Sequence, residues 1–489
     1  MISMKKFTVK PRLTHGGQIT IGRANGGKER IYLGRLAEAG QLARVDFDVS
    51  DPHVIAVFGK RGSGKSYTLG SIIEGLCTKQ HNSSISTIGR NQAILLFDTL
   101  GIFQWMDIPL SLDSPRELVR EQASHQKGWG LQNEPLDIKI WIPSGTPPGL
   151  RQYEEFTVDC ANFTASDWGY LLGLDILQDR MGQLINDAYE KVVNEGWSDG
   201  LRTYDPQPRY AIEDLMDCIQ NDVELNNSYH SETRRAVLQQ LSVYWRNSLF
   251  QPKRKVPTAI KSLADKGEIS RDVLKSFEFL EGVGLPILLK PGQLSILLLH
   301  KLPEELRFVI IVALIRKIMQ SRISTSELEK SLRILPELQN REREEINQKI
   351  AQGIPPTWIV ADEAQNFLPS ERKTTATEIL VRLVREGRNV GLSFVLTTQQ
   401  PYAIDQRILS QADTIICHKL TVQGDVEYIK KNLKSALPDN VSYGNTVLSL
   451  ESLLRTLNTG QSIVSNTEAE RALIMDVRPR ISVHGGFGV

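Results

Sequence analysis

Six unbroken apolar runs of strand length punctuate the chain: "HVIAVFG" (53–59), "AILLFDTLG" (93–101), "LSILLLHKL" (294–302), "WIVADEA" (358–364), "LSFVLTTQ" (392–399) and "DTIICHKL" (413–420). Hydrophobicity that is continuous rather than alternating marks strands buried on both faces, as in a parallel sheet covered by helices. Between the second and third runs, "ASDWGYLLGLDILQDRMGQLINDAYEKVV" and "SETRRAVLQQLSVYWRNSLF" carry apolar residues at helical spacing, which predicts a helical insertion over 150–285. Residues 321–355 predict a charged helical excursion ended by paired prolines. Ahead of the first run the pattern alternates, with Ile19, Ile21 and Ile31, Leu33 around a glycine-rich turn, then Val45, Phe47 and Val49.

The expected organisation is a small β module over 1–50 and the first part of an α/β core over 51–149. The helical insertion over 150–285, the second part of the core over 286–465 and a tail over 466–489 follow. About 45 residues is short for a closed barrel, so the β module is barrel-like at most.

Composition narrows the class. A chain of 489 residues with 40% hydrophobic and 24% charged side chains fits an ordinary soluble globular protein of two or three domains. No run approaches the roughly 18 apolar residues of a membrane helix. The opening "MISMKKFTVKPRL" has no apolar segment behind its lysines, so a signal peptide is not expected and a cytoplasmic location is. Cys77, Cys160, Cys218 and Cys417 are far apart, a pattern of reduced thiols rather than of a zinc site. With 58 basic and 57 acidic side chains, bulk charge announces no nucleic-acid partner, and any basic surface must be local.

The candidate chemistry sits at strand ends. "GKRGSGKS", Gly59 to Ser66, follows a buried strand and opens an amphipathic helix, the context a phosphate-binding loop requires. The candidate nucleotide contacts are Gly59, Arg61, Gly62, Ser63, Gly64, Lys65, Ser66 and Tyr67. Lys65 is placed to reach the β- and γ-phosphates of ATP, and the Ser66 hydroxyl to ligate Mg²⁺. "WIVADEAQNFLP" ends a strand in Asp362-Glu363; Asp362 is expected to hold Mg²⁺ through its water shell and Glu363 to polarise a water for attack on the γ-phosphate. "LTTQQP" brings Gln399 to the same sheet edge, able to hydrogen-bond the γ-phosphate or the attacking water. Asp98, in "FDTLGIF", reads as a turn residue. His53 reads as a strand-packing residue.

"HVIAVFGKRGSGKSYTLG", "WIVADEAQNFLP", "REGRNVGLSFVLTTQQP" and "RPRISVHGG" together resemble the HerA-type ATPases of the HerA/FtsK superfamily. The resemblance implies a RecA-like ATPase core, a ring, usually a hexamer, with nucleotide between subunits, and translocation on double-stranded DNA. It also implies a partner nuclease or other effector, in DNA repair or antiviral defence. In such rings a cation reaches the γ-phosphate from the neighbouring subunit; Arg388, with Arg385 one turn earlier, is placed for this, and the sequence does not separate the two. Arg382 reads as an i,i+4 partner of Glu378 or Glu386. The tail "DVRPRISVHGGFGV", with Arg478, Arg480 and His484, is expected to reach a neighbouring subunit. "QPKRKVP" (Lys253, Arg254, Lys255) is the densest basic cluster. Three further readings stay open, a DNA-packaging or conjugation motor of the same superfamily, an ATP-regulated assembly platform for an effector and an ATP-gated signalling switch. A packaging or conjugation motor would normally show membrane helices.

Overall fold

The computed structural model describes residues 18–22, 28–37, 43–77, 84–89, 92–147, 149, 151–250, 258–270, 273, 283–335, 340–366, 375–432, 440–443, 446–466 and 471–486. The chain divides into two compact units, residues 1–140, 288–300 and 318–489 in one and residues 141–287 and 301–317 in the other. The basic cluster 253–255 lies outside the described residues.

In the first unit all six apolar runs become strands: Val54–Phe58, Ala93–Asp98, Leu294–Leu298, Thr357–Ala361, Leu392–Thr398 and Thr414–Cys417. Every position in them is buried, which is why their hydrophobicity is continuous. They pair in parallel, in the spatial order 414–417, 54–58, 392–398, 357–361, 93–98, 294–298. Their C-terminal ends therefore share one edge of the sheet, where open α/β folds place ligands. Gly59, Asp362, Gln399 and His418 all stand just beyond those ends.

The sheet continues past Thr414–Cys417 through two antiparallel strands, Gln461–Asn466 and Arg471–Val477. The strands near the N-terminus extend it further: Arg30–Leu36 pairs with Arg471–Val477, then with Arg44–Asp48, which Gln18–Ile21 flanks in parallel. Ile19, Ile21, Ile31, Leu33, Val45, Phe47 and Val49 are buried as their alternation predicts. Tyr32, Asp46 and Asp48 on the other face are buried too. Ser86 bridges Ile31 and the Arg44 guanidinium covers the Tyr32 ring at 4.1 Å.

The helix Lys65–Cys77 runs from the phosphate loop and is buried along most of its length, including the Glu74 carboxylate. That acid meets two cations from the tail: Arg478 Nη1 at 2.8 Å from Oε2 and Arg480 Nε at 3.2 Å from Oε1. The backbone N–H groups of Ile481 and Ser482 and the Ser482 hydroxyl also donate to Glu74. Arg478 donates further to the carbonyls of Tyr32, Ser71 and Pro479. Burial alone would push the Glu74 carboxyl up, but the two guanidiniums hold it below its usual value. Arg478 and Arg480, which belong to the tail expected to reach a neighbouring subunit, are both fully buried here with their donors engaged inside the chain. Glu74→Ala leaves two buried guanidiniums unpaired and is expected to cost about 3–5 kcal/mol, read as a lowered urea midpoint and melting temperature.

The second unit is mostly helical around a short pair of parallel strands, with Trp141–Pro143 beside Glu154–Phe156. Thr164 and Asp167 cap the helix Ala165–Leu172 reciprocally, and Gly173, at φ +69°, ends it in a conformation that disfavours a side chain. Trp168 donates to the Tyr210 hydroxyl at 2.7 Å in the core, and Arg316 pairs with Asp167 at 2.9 Å. The helices Arg180–Glu190, Ile212–Asn221 and Ser231–Trp245 pack together, as the helical spacing in 150–285 predicts. No helix among the described residues is long and apolar enough to cross a membrane.

Candidate active site

The phosphate loop forms the turn its sequence requires. Gly59 (φ +156°) has no room for a side chain, since a Cβ there would lie 2.7 Å from His418 Cβ, and Gly64 adopts φ +111°. Ser63 is buried and donates to Lys60 O at 2.8 Å, closing the loop on itself. Lys65 is 5% exposed. Burial lowers its ammonium pKa, a shift opposed by the nearby carboxylates of Glu363 and Asp362. Arg61, Gly62, Gly64, Lys65, Ser66 and Tyr67 line a cavity of about 1070 Å³ with Glu363 and Gln399. That is room for a nucleoside triphosphate.

Asp362 and Glu363 face this loop from the end of Thr357–Ala361. Asp362 is fully buried, and its Oδ1 accepts the Thr397 hydroxyl and the Glu363 N–H. Its Oδ2 has no hydrogen-bond partner among the described residues. Burial, with Glu363 and Asp98 adding to it, pushes the Asp362 carboxyl up to about 7 against the Thr397 hydrogen bond and Lys65. A buried carboxylate oxygen without a partner, close to a hydroxyl-bearing phosphate loop, suits a hydrated Mg²⁺. Ser66 and Asp362 are the residues that would hold it.

Glu363 takes φ +52°, the sole non-glycine among the described residues at positive φ. Such a conformation costs on the order of 1–3 kcal/mol and persists where the surroundings over-determine it. Here the Glu363 N–H donates to Thr397 Oγ1 at 3.1 Å as well as to Asp362. Its carboxylate accepts Gln399 Nε2 at 2.6 Å and Gln365 Nε2 at 2.7 Å.

The sequence reading missed several supporting residues. Thr397 and Gln365 lay inside the quoted motifs, but nothing in a strand-end hydroxyl or a post-motif amide marks a partner without the fold. His418 is buried against the loop, donating Nδ1–H to Gln461 O at 2.8 Å and accepting from the Thr68 hydroxyl at 2.8 Å. Burial, with Lys65 adding to it, pushes it down to about 4, so the ring is neutral at ordinary pH. The segment 477–486 forms another wall, with Val477, Pro479 and His484 at the cavity. Tyr67 meets the His484 ring edge-on at 5.6 Å and accepts the Arg480 N–H at 2.8 Å.

Other candidates sit elsewhere. Asp98 is a turn organiser, accepting the N–H groups of Leu100, Gly101, Ile102 and Phe103. His53 faces Asp413 at 3.3 Å, at the start of its strand. Arg382 pairs with Glu386 at 2.7 Å and Arg385 is exposed. Arg388 lies in the turn Gly387–Val390, before the strand that ends at Thr398, with Nη1 3.6 Å from Asp413 Oδ2. Seven strand residues, roughly 23 Å at 3.3 Å each, separate its edge of the sheet from Gln399. Arg388 therefore does not join this chain's own phosphate site.

Residues 31–318, more than half of the chain, match the family model described as "Helicase HerA, central domain". The chain belongs to that family. Among curated relatives, the DNA double-strand break repair helicase HerA of Pyrococcus furiosus is 26% identical over 162 residues, 32% of this chain and 29% of that protein. The HerA of Sulfurisphaera tokodaii is 26% identical over 176 residues, 36% and 30% of the two chains. The matched stretches thus span less than a third of these HerA proteins' own lengths. Among solved structures, VirB4 of Thermoanaerobacter pseudethanolicus aligns over 92% of this chain and 97% of that one, at 12% identity and a TM-score of 0.49.

Proposed function

We propose that this HerA-family chain is a Mg²⁺-dependent ATP hydrolase that assembles as a ring, a hexamer, and moves on double-stranded DNA beside a partner nuclease or other effector. The observation that carries hydrolysis, as opposed to nucleotide binding alone, is the second acid. Asp362 would suffice to hold a metal, whereas Glu363, buried and braced over the same cavity as Lys65, is what activation of a water needs. Lys65 and the loop N–H groups hold the phosphates, and Gln399, which donates to Glu363, lines the same cavity. Mg²⁺ at Ser66 and Asp362 would neutralise charge on the phosphate oxygens.

Ring assembly and DNA translocation are supported by the family match and by relatives named as DNA double-strand break repair helicases. They are also supported by the placement of Arg385, exposed on its helix, and of Arg388, at the edge of the sheet opposite this chain's own phosphate site. Phosphate release from ATP is expected to rise several-fold on addition of duplex DNA, and to be lost with and without DNA in Lys65→Ala. Hydrolysis indifferent to duplex DNA contradicts the motor and favours an assembly platform.

A further inference from the structure

Glu363 is restrained more than a general base requires. Both of its carboxylate oxygens accept a side-chain amide N–H, Oε1 from Gln399 and Oε2 from Gln365. The two donors come from different elements. Gln399 follows the strand Leu392–Thr398, while Gln365 sits in the single turn Ala364–Asn366 directly after Glu363. Gln365 Oε1 is buried without a partner, so the link to Glu363 is this side chain's one hydrogen bond among the described residues. A polar side chain at the cavity whose sole partner is the base acts through that base.

We propose that Gln365 is a positioning residue for Glu363, an inference that rests on the ATP-hydrolase reading above. Gln365 keeps Oε2 fixed, and the N–H of Gln399 passes to the γ-phosphate of bound ATP, which leaves Oε1 to accept from the attacking water. The water oxygen then bonds to the γ-phosphorus as the bond from phosphorus to the β–γ bridging oxygen breaks. One water proton goes to Oε1 and returns to solvent as ADP and phosphate leave. Without Gln365 the carboxylate turns freely on its strained backbone and is less often aligned with the water.

The test compares wild type with Gln365→Leu, which removes the donor, and Gln365→Glu, which keeps the shape but puts a second carboxylate against the base. Each is also built on Glu363→Gln. Phosphate release across ATP concentrations, affinity for a fluorescent ATP analogue and melting temperature are measured on every sample. Both single variants are expected to lose about 10- to 100-fold in kcat, a part of the roughly 10²–10⁴-fold that a general base supplies. KM, analogue affinity and melting temperature stay close to wild type, as misalignment alone predicts. On the Glu363→Gln background the Gln365 effect disappears in single-turnover assays, because residues acting through one another are not additive. A kcat within about twofold of wild type, or a loss that persists in full without Glu363, overturns the assignment. Wild-type protein lacking Lys65-dependent hydrolysis overturns the parent reading with it, whereas Lys65- and Glu363-dependent hydrolysis indifferent to Gln365 overturns this inference alone.

Discussion

Preparations that mix Arg388→Ala subunits with Lys65→Ala subunits are expected to regain ATP hydrolysis that neither parent shows alone. Arg388 stands at the edge of the sheet where the central strands begin, and the phosphate loop stands where they end. No side chain spans that distance, so a catalytic Arg388 has to serve another subunit's ATP. An arginine supplied in this way contributes about 10³–10⁵ in rate. In a head-to-tail ring two different faces of the subunit meet at every interface, which would let Arg388 of one subunit serve the loop of the next. In an equal mixture about a quarter of the interfaces pair an intact Lys65 with a neighbour's intact Arg388, and activity returns in that proportion. Arg388 also has a role inside its own chain through Asp413, which accepts the Val54 N–H at 2.9 Å at the start of the phosphate-loop strand. If that were its whole contribution, Arg388→Ala would lower thermal stability and mixing would restore nothing. The same mixing with Arg385→Ala separates the two arginines, since Arg385 is exposed on the preceding helical turn.

The central sheet was legible because burial on both faces leaves a continuous apolar run, and all six runs proved to be parallel strands. The phosphate loop, Asp362, Glu363 and Gln399 were legible for a related reason: a parallel sheet gathers its strand ends at one edge, so residues that follow strands meet. What the sequence did not disclose depends on contacts between distant segments. Glu74 reads as one polar position of an amphipathic helix, and only the return of residues 478–482 makes it the anchor of a buried cluster. The tail arginines looked available because their partner lies some 400 positions away. The strands Gln461–Asn466 and Arg471–Val477 carry weaker patterns and joined the sheet through antiparallel pairing, which no periodicity announces. His418 and Thr397 matter through what they touch, and residue type alone does not mark that.

Glu363→Gln is expected to bind ATP and fail to turn it over. The substitution keeps the size of the side chain and so preserves the packing of a residue that is 4% exposed. It removes the acceptor that takes the water's proton, and it puts an amide opposite Gln365 and Gln399, which have donated to a carboxylate. Loss of a general base costs about 10²–10⁴ in rate. Lys65, Ser66 and the loop N–H groups are untouched, and removing a negative charge beside the γ-phosphate favours retention of ATP. The Glu363 N–H still reaches Thr397 and Asp362, so the backbone at φ +52° keeps its support. Phosphate release at saturating Mg²⁺ and ATP, measured on wild type and Glu363→Gln together with the affinity of each for a fluorescent ATP analogue, is the most direct test. The predicted result is turnover reduced by about 10²–10⁴ with affinity equal to or tighter than wild type. Turnover within about threefold of wild type would contradict the assignment of Glu363, and with it the reading of this cavity as the place where ATP is hydrolysed.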